Sequence, residues 1–414
     1  MCDNDPPAIL KLPTQSKLIH IFWCWPLLVS FGFAAELYHP AVADIAKSFQ
    51  LELSQLQGYN LFFMAAFGSG CLLLGSLSDS LGRKPLLLFS IALTALGSVM
   101  CGVTTELKWY VIGKILQSMG AAGMQVTVYA MVRDAFTQQQ LSRAYAFTKA
   151  LMGLSAFLAP LIALWILSYF NWRVLFFFHF FWLMAVLGLS VYYVQETYLQ
   201  KNLAAIFKIL KHARAIITHP QFKMFTLLTI GAQAASFAFH CVAPVLYFEQ
   251  LQLSRDYFVL LLLGNAVWAF IVNLLFGQFF DYFTTDTWIQ VAATLLTLAG
   301  LSMLLAYAWH GLTVTTLYVP VLLFSHVGCI ILGITATRGA LAPFTEQVGA
   351  ASSLFNFIEF IVGGMIGSTI LLWPITIFSL SGYLMGIGAI IYMLLRYYRQ
   401  APLAVATHWY QPQT

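Results

Sequence analysis

Twelve apolar stretches run the length of this 414-residue chain. Crossing a hydrocarbon core of roughly 30 Å takes about 20 apolar residues at a helical rise of about 1.5 Å per residue. The pattern predicts spans near 19–43, 58–78, 85–104, 109–132, 145–169, 174–195, 224–247, 257–279, 288–309, 315–337, 350–372 and 376–395. A membrane β-barrel would alternate polar and apolar residues in short segments, and these runs are continuous. Helices satisfy every backbone hydrogen bond inside lipid, so the expected fold class is an all-α membrane protein with 12 transmembrane helices. Composition agrees: with 60% hydrophobic and 8% charged residues, the chain has too little charge to cover a water-soluble surface.

An even number of spans puts both termini on one side, and lysine and arginine say which. The N-terminus, the even-numbered loops and the C-terminus hold Lys11, Lys17, Arg83, Lys84, Arg133, Arg143, Lys149, Lys201, Lys208, Lys211, Arg214, Lys223, Arg338, Arg396 and Arg399. The other side holds Lys47, Lys108, Arg173 and Arg255, and Lys114 falls inside a span. The bias predicts cytoplasmic termini. The longest internal connection divides the spans six and six, giving an N-terminal half at 1–195, a cytoplasmic linker at 196–222 and a C-terminal half with a short tail at 223–414. The linker's basic residues fit an amphipathic helix on the anionic leaflet and equally a solvated connection.

Several classes fall away. The polar N-terminus lacks a signal-peptide layout, so the first helix is expected to insert and stay. Five of six cysteines lie inside apolar runs without metal-ligand spacing, and they read as small packing residues. No phosphate-cradling glycine loop, His-x-x-x-His, Cys-x-x-Cys or Gly-x-Ser-x-Gly element occurs, so neither ATP hydrolysis nor an enzyme is expected. The net charge of +5 follows the loops and points to no nucleic acid. The expected partners are a small-molecule substrate, protons and the bilayer, for a monomer without metal or cofactor.

The first tight loop carries Gly75, Leu77, Asp79, Gly82, Arg83, Lys84 and Pro85. Its glycines let two helices turn back closely, and Asp79 beside two cations suits a charge cluster that holds one end of the bundle closed. A degraded copy, Gly277, Phe279 and Asp281, closes the eighth span, so the halves read as a repeat. Repeated six-helix halves are the layout of secondary transporters that rock about a midplane site.

The loop resembles the signature of the major facilitator superfamily, and shorter elements resemble its drug-efflux branch of bicyclomycin- and chloramphenicol-resistance type. These are Glu36, Tyr38 and Pro40 in the first span, Arg133-Asp134 after the fourth, and Trp172-Arg173 before the sixth. Ala340 to Phe344 and Gly349 to Ser353 follow between spans ten and eleven. Two departures stand out. Lys114 precedes Gln117 where the family carries arginine, and Pro160 keeps its place while Ala159, Ala163 and Leu164 replace the expected glycines. The resemblance implies proton-coupled export of drugs by alternating access, with a dedicated exporter of a metabolite such as a siderophore, or a transporter-like sensor, as alternatives. It also implies that Asp79, Arg83 and Lys84, with Arg133 and Asp134, gate the cytoplasmic side of a bacterial inner-membrane protein.

Ionisable side chains inside spans are expensive and functional by default. Glu36 lies about 22 Å above the inner end of its span and Lys114 about 8 Å below the outer end of span four, so their depths match. The resemblance implies that those spans face each other. The pair reads either as a proton-coupling couple, in which Glu36 exchanges Lys114 for a proton, or as a static ion pair that fixes packing. Glu359, near the middle of span eleven, is a second candidate for binding substrate or a proton. Tyr38, Gln117, His240 and Asn356 are candidate cavity-lining groups; a lone histidine such as His240, His179 or His326 is more often a packing residue.

Overall fold

A computed structural model describes residues 14–136, 138–197, 213–279, 282–344 and 348–400. The side chain of Asp79 and those of Arg143 and Lys149 lie outside the described groups, as do Lys201, Lys208, Lys211 and Asp281. Twelve long helices carry the chain: α1 (Thr14–Glu36), α2 (Asn60–Leu81), α3 (Arg83–Val103), α4 (Leu107–Ala135), α5 (Gln138–Tyr169) and α6 (Arg173–Tyr193) come first. Then follow α7 (Pro220–Pro244), α8 (Arg255–Phe279), α9 (Thr285–His310), α10 (Val314–Leu341), α11 (Val348–Ser368) and α12 (Ile377–Gln400). No strand occurs among the described residues. Among the described residues, ten helices are long and apolar enough to span a bilayer on those grounds. α1 and α4 are not among them; in α4, Lys114 and Gln117 are buried inside the unit.

The chain forms two compact units, Met1–Ile45 with Phe62–His212, and Ala46–Leu61 with Ala213–Thr414. In the first, Leu28 of α1, Leu87 and Ile91 of α3, Met124 and Val128 of α4 and Leu183 of α6 make one apolar core. α3 and α4 run close together because their contact is built of small residues. A Cβ at Gly97 would lie 2.4 Å from the Gly113 carbonyl oxygen and 2.5 Å from the Gln117 nitrogen. Backbones approach this closely only where side chains are absent, and the approach brings Ser98 against Gln117.

The first span differs from its predicted course. It was expected to run through to 43, but α1 ends at Glu36, and a 3-10 turn at His39–Ala41 leads into a short helix at Val42–Ser48. Pro40 supplies no backbone N–H and its ring excludes a continuing α-helix. Glu36 therefore sits at a helix end, and Tyr38 lies in the turn beyond it.

In the second unit, α7 packs against α10, α11 and α12, and α9 packs on α10 and α12. A short helix at Leu53–Gly58, from the stretch that precedes α2, packs on α7. Two helices change register at proline: Pro244 leads into a π-helical turn at Val245–Gln250, and Pro320 into another at Val321–Ser325. Proline breaks the regular ladder by removing a donor and crowding the carbonyl four residues back, and the wider turn absorbs the mismatch.

The α3–α4 contact makes a direct prediction. Gly97→Leu should cost about 1–3 kcal/mol through overpacking against backbone, read as a lower midpoint in thermal unfolding of the purified protein. Gly188→Ala in α6, where an added Cβ meets nothing within 4 Å, should leave the midpoint unchanged or raise it slightly.

Candidate functional site

Lys114 is 2% exposed on α4. Its ammonium donates to the Ala34 carbonyl at 3.2 Å and to Gln117 Oε1 at 2.7 Å, and it lies 4.1 Å from the centroid of the Tyr38 ring. Ala34 belongs to the last turn of α1, whose carbonyls have no further helical N–H to accept. A cation there also meets the negative end of the helix dipole. The early end of α1 at Pro40 thus creates the acceptor, and the turn folds Tyr38 over the charge. The face of an aromatic ring attracts a desolvated cation, by about 2 kcal/mol in buried cases.

Glu36, the expected partner, is near but engaged otherwise. Its carboxylate lies 3.8 Å from His39 Nε2, with 32% of the side chain exposed, and within electrostatic reach of Lys114. Phe33, Ala34, Leu37, Tyr38, Lys114, Gln117, Leu175, Phe176 and His179 line a small pocket around this point.

The polar chain continues inward. Gln117 Nε2 donates to Ser98 Oγ at 2.9 Å and lies 3.2 Å from His179 Nδ1. His179 Nε2 meets the Ser30 carbonyl at 3.1 Å, and Trp182 Nε1 donates to Ser30 Oγ at 2.8 Å. Four helices, α1, α3, α4 and α6, are tied by one buried hydrogen-bonded network. The sequence reading missed Ser30, Ser98 and His179 as members. His179 shares the inward face of α6 with Phe176 and Leu183, a spacing readable in the sequence, but its partners come from three other helices.

A second cluster forms at the α2–α3 turn. Gly82 has φ +104°, a conformation open to glycine, and reverses the chain in one residue. Arg83, 1% exposed, pairs through Nε with Asp134 Oδ2 at 3.0 Å and donates from Nη1 to Ser78 Oγ at 2.8 Å. Arg133 approaches the other oxygen of Asp134 at 3.7 Å. Glu196, just past α6, accepts from the backbone N–H of Arg83 at 2.9 Å and from that of Lys84 at 3.2 Å. Both its oxygens cap the positive end of α3, while Lys84 Nζ donates to the Val191 carbonyl at 2.8 Å. The structure thus brings Gly82, Arg83, Lys84, Arg133 and Asp134 together, as the sequence suggested, with Gly75 on α2 half-buried two turns back from Arg83. It adds Glu196, which the sequence reading left at the start of a linker. The available signal was an acid placed just after a span, opposite a helix that begins without a side-chain cap.

The remaining candidates lie in the second unit. Asn356 and Glu359 are half-buried on α11, and among the described residues no cation pairs with Glu359. His240 Nδ1 donates to the Ser236 carbonyl at 2.7 Å within α7. The groups of ≥ 3 side chains that could ligate a metal are absent among the described residues.

Two units of membrane-length helices, with a charged hydrogen-bonded pocket inside one of them, define a polytopic membrane transport protein. The chain belongs to the Major Facilitator Superfamily, whose profile matches residues 24–368. It is 28% identical over 385 residues to Multidrug resistance protein D of Escherichia coli, covering 92% of this chain and 95% of that protein. It is 23% identical over 369 residues to the Bicyclomycin resistance protein homolog of Haemophilus influenzae, covering 86% and 89%. Its fold is similar to the crystal structure of a D-xylose-proton symporter, with a TM-score of 0.72 over 91% of this chain and 97% of that one; at 14% identity the likeness is of fold alone.

Glu196→Ala should remove a charged helix cap and cost about 1–2 kcal/mol of stability. Glu196→Gln, which keeps one acceptor oxygen, should lose less. Thermal unfolding of the two variants side by side checks the order.

Proposed function

We propose that this chain is a proton-coupled secondary transporter that exports small molecules, drugs first among them, across a bacterial cytoplasmic membrane by alternating access, with both termini cytoplasmic. The names borne by its relatives, multidrug resistance and bicyclomycin resistance proteins, support the substrate class. The observation that carries the coupling is the state of Lys114: a buried ammonium held by two neutral oxygens and an aromatic face, with a partly exposed carboxylate close by. Charge inside a bilayer is costly unless paired. A deprotonated Glu36 that swings toward Lys114 gains a partner, and a protonated one has no reason to. Proton binding at Glu36 therefore selects between two arrangements of the end of α1, which is the differential interaction a coupled transition needs. Tyr38 and Gln117 hold the cation in place during the exchange and line the pocket that a substrate would enter.

In this reading the two halves, joined by the linker at 196–222, rock in alternating access, and Glu359, His240 and Asn356 are the second half's candidate substrate contacts. The α2–α3 cluster, with Gly75 and Asp79 on α2 ahead of the turn, is the conformational gate. Arg83 and Asp134 form a buried pair, which is strongly destabilised when one member is removed.

Substrate-driven proton flux in proteoliposomes tests the reading, with wild type compared with Glu36→Gln across cationic drugs, neutral drugs and siderophores. Flux with several drugs, lost in the mutant, is the expected result. Flux with one metabolite alone would indicate a dedicated exporter, and binding without flux a sensor. Undiminished flux in Glu36→Gln would remove Glu36 from the coupling role. Arg83→Gln should raise labelling of cysteines placed on the cytoplasmic side of the cavity; unchanged labelling would take Arg83 out of the gate.

A further inference from the structure

The buried chain from Lys114 to Ser30 has a direction, because its two ends are chemically one-sided. An ammonium only donates, so Gln117 must turn its oxygen to Lys114, at 2.7 Å, and its NH2 toward His179 Nδ1 and Ser98. A backbone carbonyl only accepts, so the Ser30 oxygen requires a proton on His179 Nε2. The Ser98 hydroxyl is engaged with the Thr94 carbonyl at 2.9 Å, which leaves its oxygen to accept from Gln117. The ring is thereby specified as the neutral Nε2–H tautomer, with Nδ1 as acceptor. Ser30, Ser98, Lys114, Gln117 and His179 are each no more than 2% exposed, so bulk water does not relieve a mismatch.

A second positive charge is poorly accommodated in this chain. A proton on Nδ1 would face the Gln117 NH2, donor against donor at 3.2 Å, and its other neighbour, Ser98 Oγ, also at 3.2 Å, already accepts from that same NH2. Reversing the amide would offer Oε1 to that proton, but it would turn the NH2 onto the Lys114 ammonium. The reversed state is satisfied when Lys114 is a neutral amine that accepts from Gln117 while His179 is the imidazolium. Between the two states one proton leaves Nζ, one is gained at Nδ1, and the net charge is unchanged. Other ionisable groups that the surrounding helices bring near are Glu36 of α1, Cys101 of α3 and Tyr110 of α4. From α5 the described ionisable side chain is Tyr169, which is exposed, and Arg173 of α6 is engaged with the Thr104 carbonyl at 3.0 Å.

We propose that Gln117 is a positioning residue whose amide orientation allows this site one positive charge at a time, on Lys114 or on His179. His179 is then the place where the first unit holds a proton while Lys114 is uncharged. Its meaning for transport rests on the proton-coupling reading above, but the amide polarity itself does not, and the two fail separately.

The test is 15N NMR of histidine-labelled protein in lipid bilayers, with the His179 signal identified by subtracting the His179→Gln spectrum. Wild type and Lys114→Arg should show the neutral Nε2–H ring from about pH 8 to about pH 5, a range in which a free imidazole gains its proton. Lys114→Met frees the amide to reverse, and the imidazolium signal should appear on acidification. Lys114→Met with Gln117→Met removes the same charge but leaves no amide oxygen, and that signal should be lost. Gln117→Glu, close in shape and charge-accepting at both ends, should show the imidazolium with Lys114 intact. Equal titration of the Lys114 single and double variants would overturn the proposal, since charge alone would then explain the effect. So would an Nδ1–H or charged ring in wild type, or a ring that stays neutral in Gln117→Glu.

Discussion

An ammonium buried among membrane helices must be satisfied where it stands, and the first unit is arranged around doing so for Lys114. The chain stops α1 at Glu36, ahead of Pro40, which places the Ala34 carbonyl in the last helical turn beside Lys114 and Tyr38 across the charge. It packs α3 against α4 through Gly97, which brings Ser98 within reach of Gln117. It directs His179 inward from α6, so the far end of the Gln117 amide is also met. Removing any one of these features would leave a buried polar group unmatched, at a cost of about 1–3 kcal/mol.

The same electrostatic logic governs the α2–α3 turn with opposite sign. Lys114 sits at the negative end of α1, and Glu196 sits at the positive end of α3, where its two oxygens take two otherwise unmet N–H groups. In both places a charge is bound to backbone at a helix terminus, and a side-chain pair lies alongside it: Glu36 with His39 in one, Arg83 with Asp134 in the other. Each charge is thus held by fixed backbone groups and has an ion pair beside it. In the second unit the regular ladder is interrupted instead at the proline-linked π-helical turns of α7 and α10.

The fold was legible to a large extent, for a physical reason. Lipid forces long apolar helices, and their length is written as run length, so the all-α class and most spans could be read directly, while the superfamily was reached through the resemblance of the loop after the second span. The charge cluster at the α2–α3 turn was also readable, because Gly82, Arg83 and Lys84 are contiguous and Arg133-Asp134 is a dipeptide. Glu36 and Lys114 were picked out by the cost of placing charge in an apolar run, and Tyr38 and Gln117 by the resemblance of the elements that contain them. Less accessible were Glu196 and His179. A glutamate after a span looks like any loop residue until the helix it caps is in place, and a histidine on an apolar face looks like packing until its neighbours are known.

What the sequence determined by itself, then, is which residues could not face lipid: hydropathy and charge spacing depend only on the local chain. What the tertiary structure alone decided is how those residues satisfy one another. Lys114 donates to a carbonyl of α1 as well as to Gln117 in its own helix, and the Gln117 amide is oriented by groups on α3, α4 and α6. Hydrogen-bond direction is a property of atoms brought within about 3 Å, and the partners on other helices lie 19 to 80 positions away along the chain.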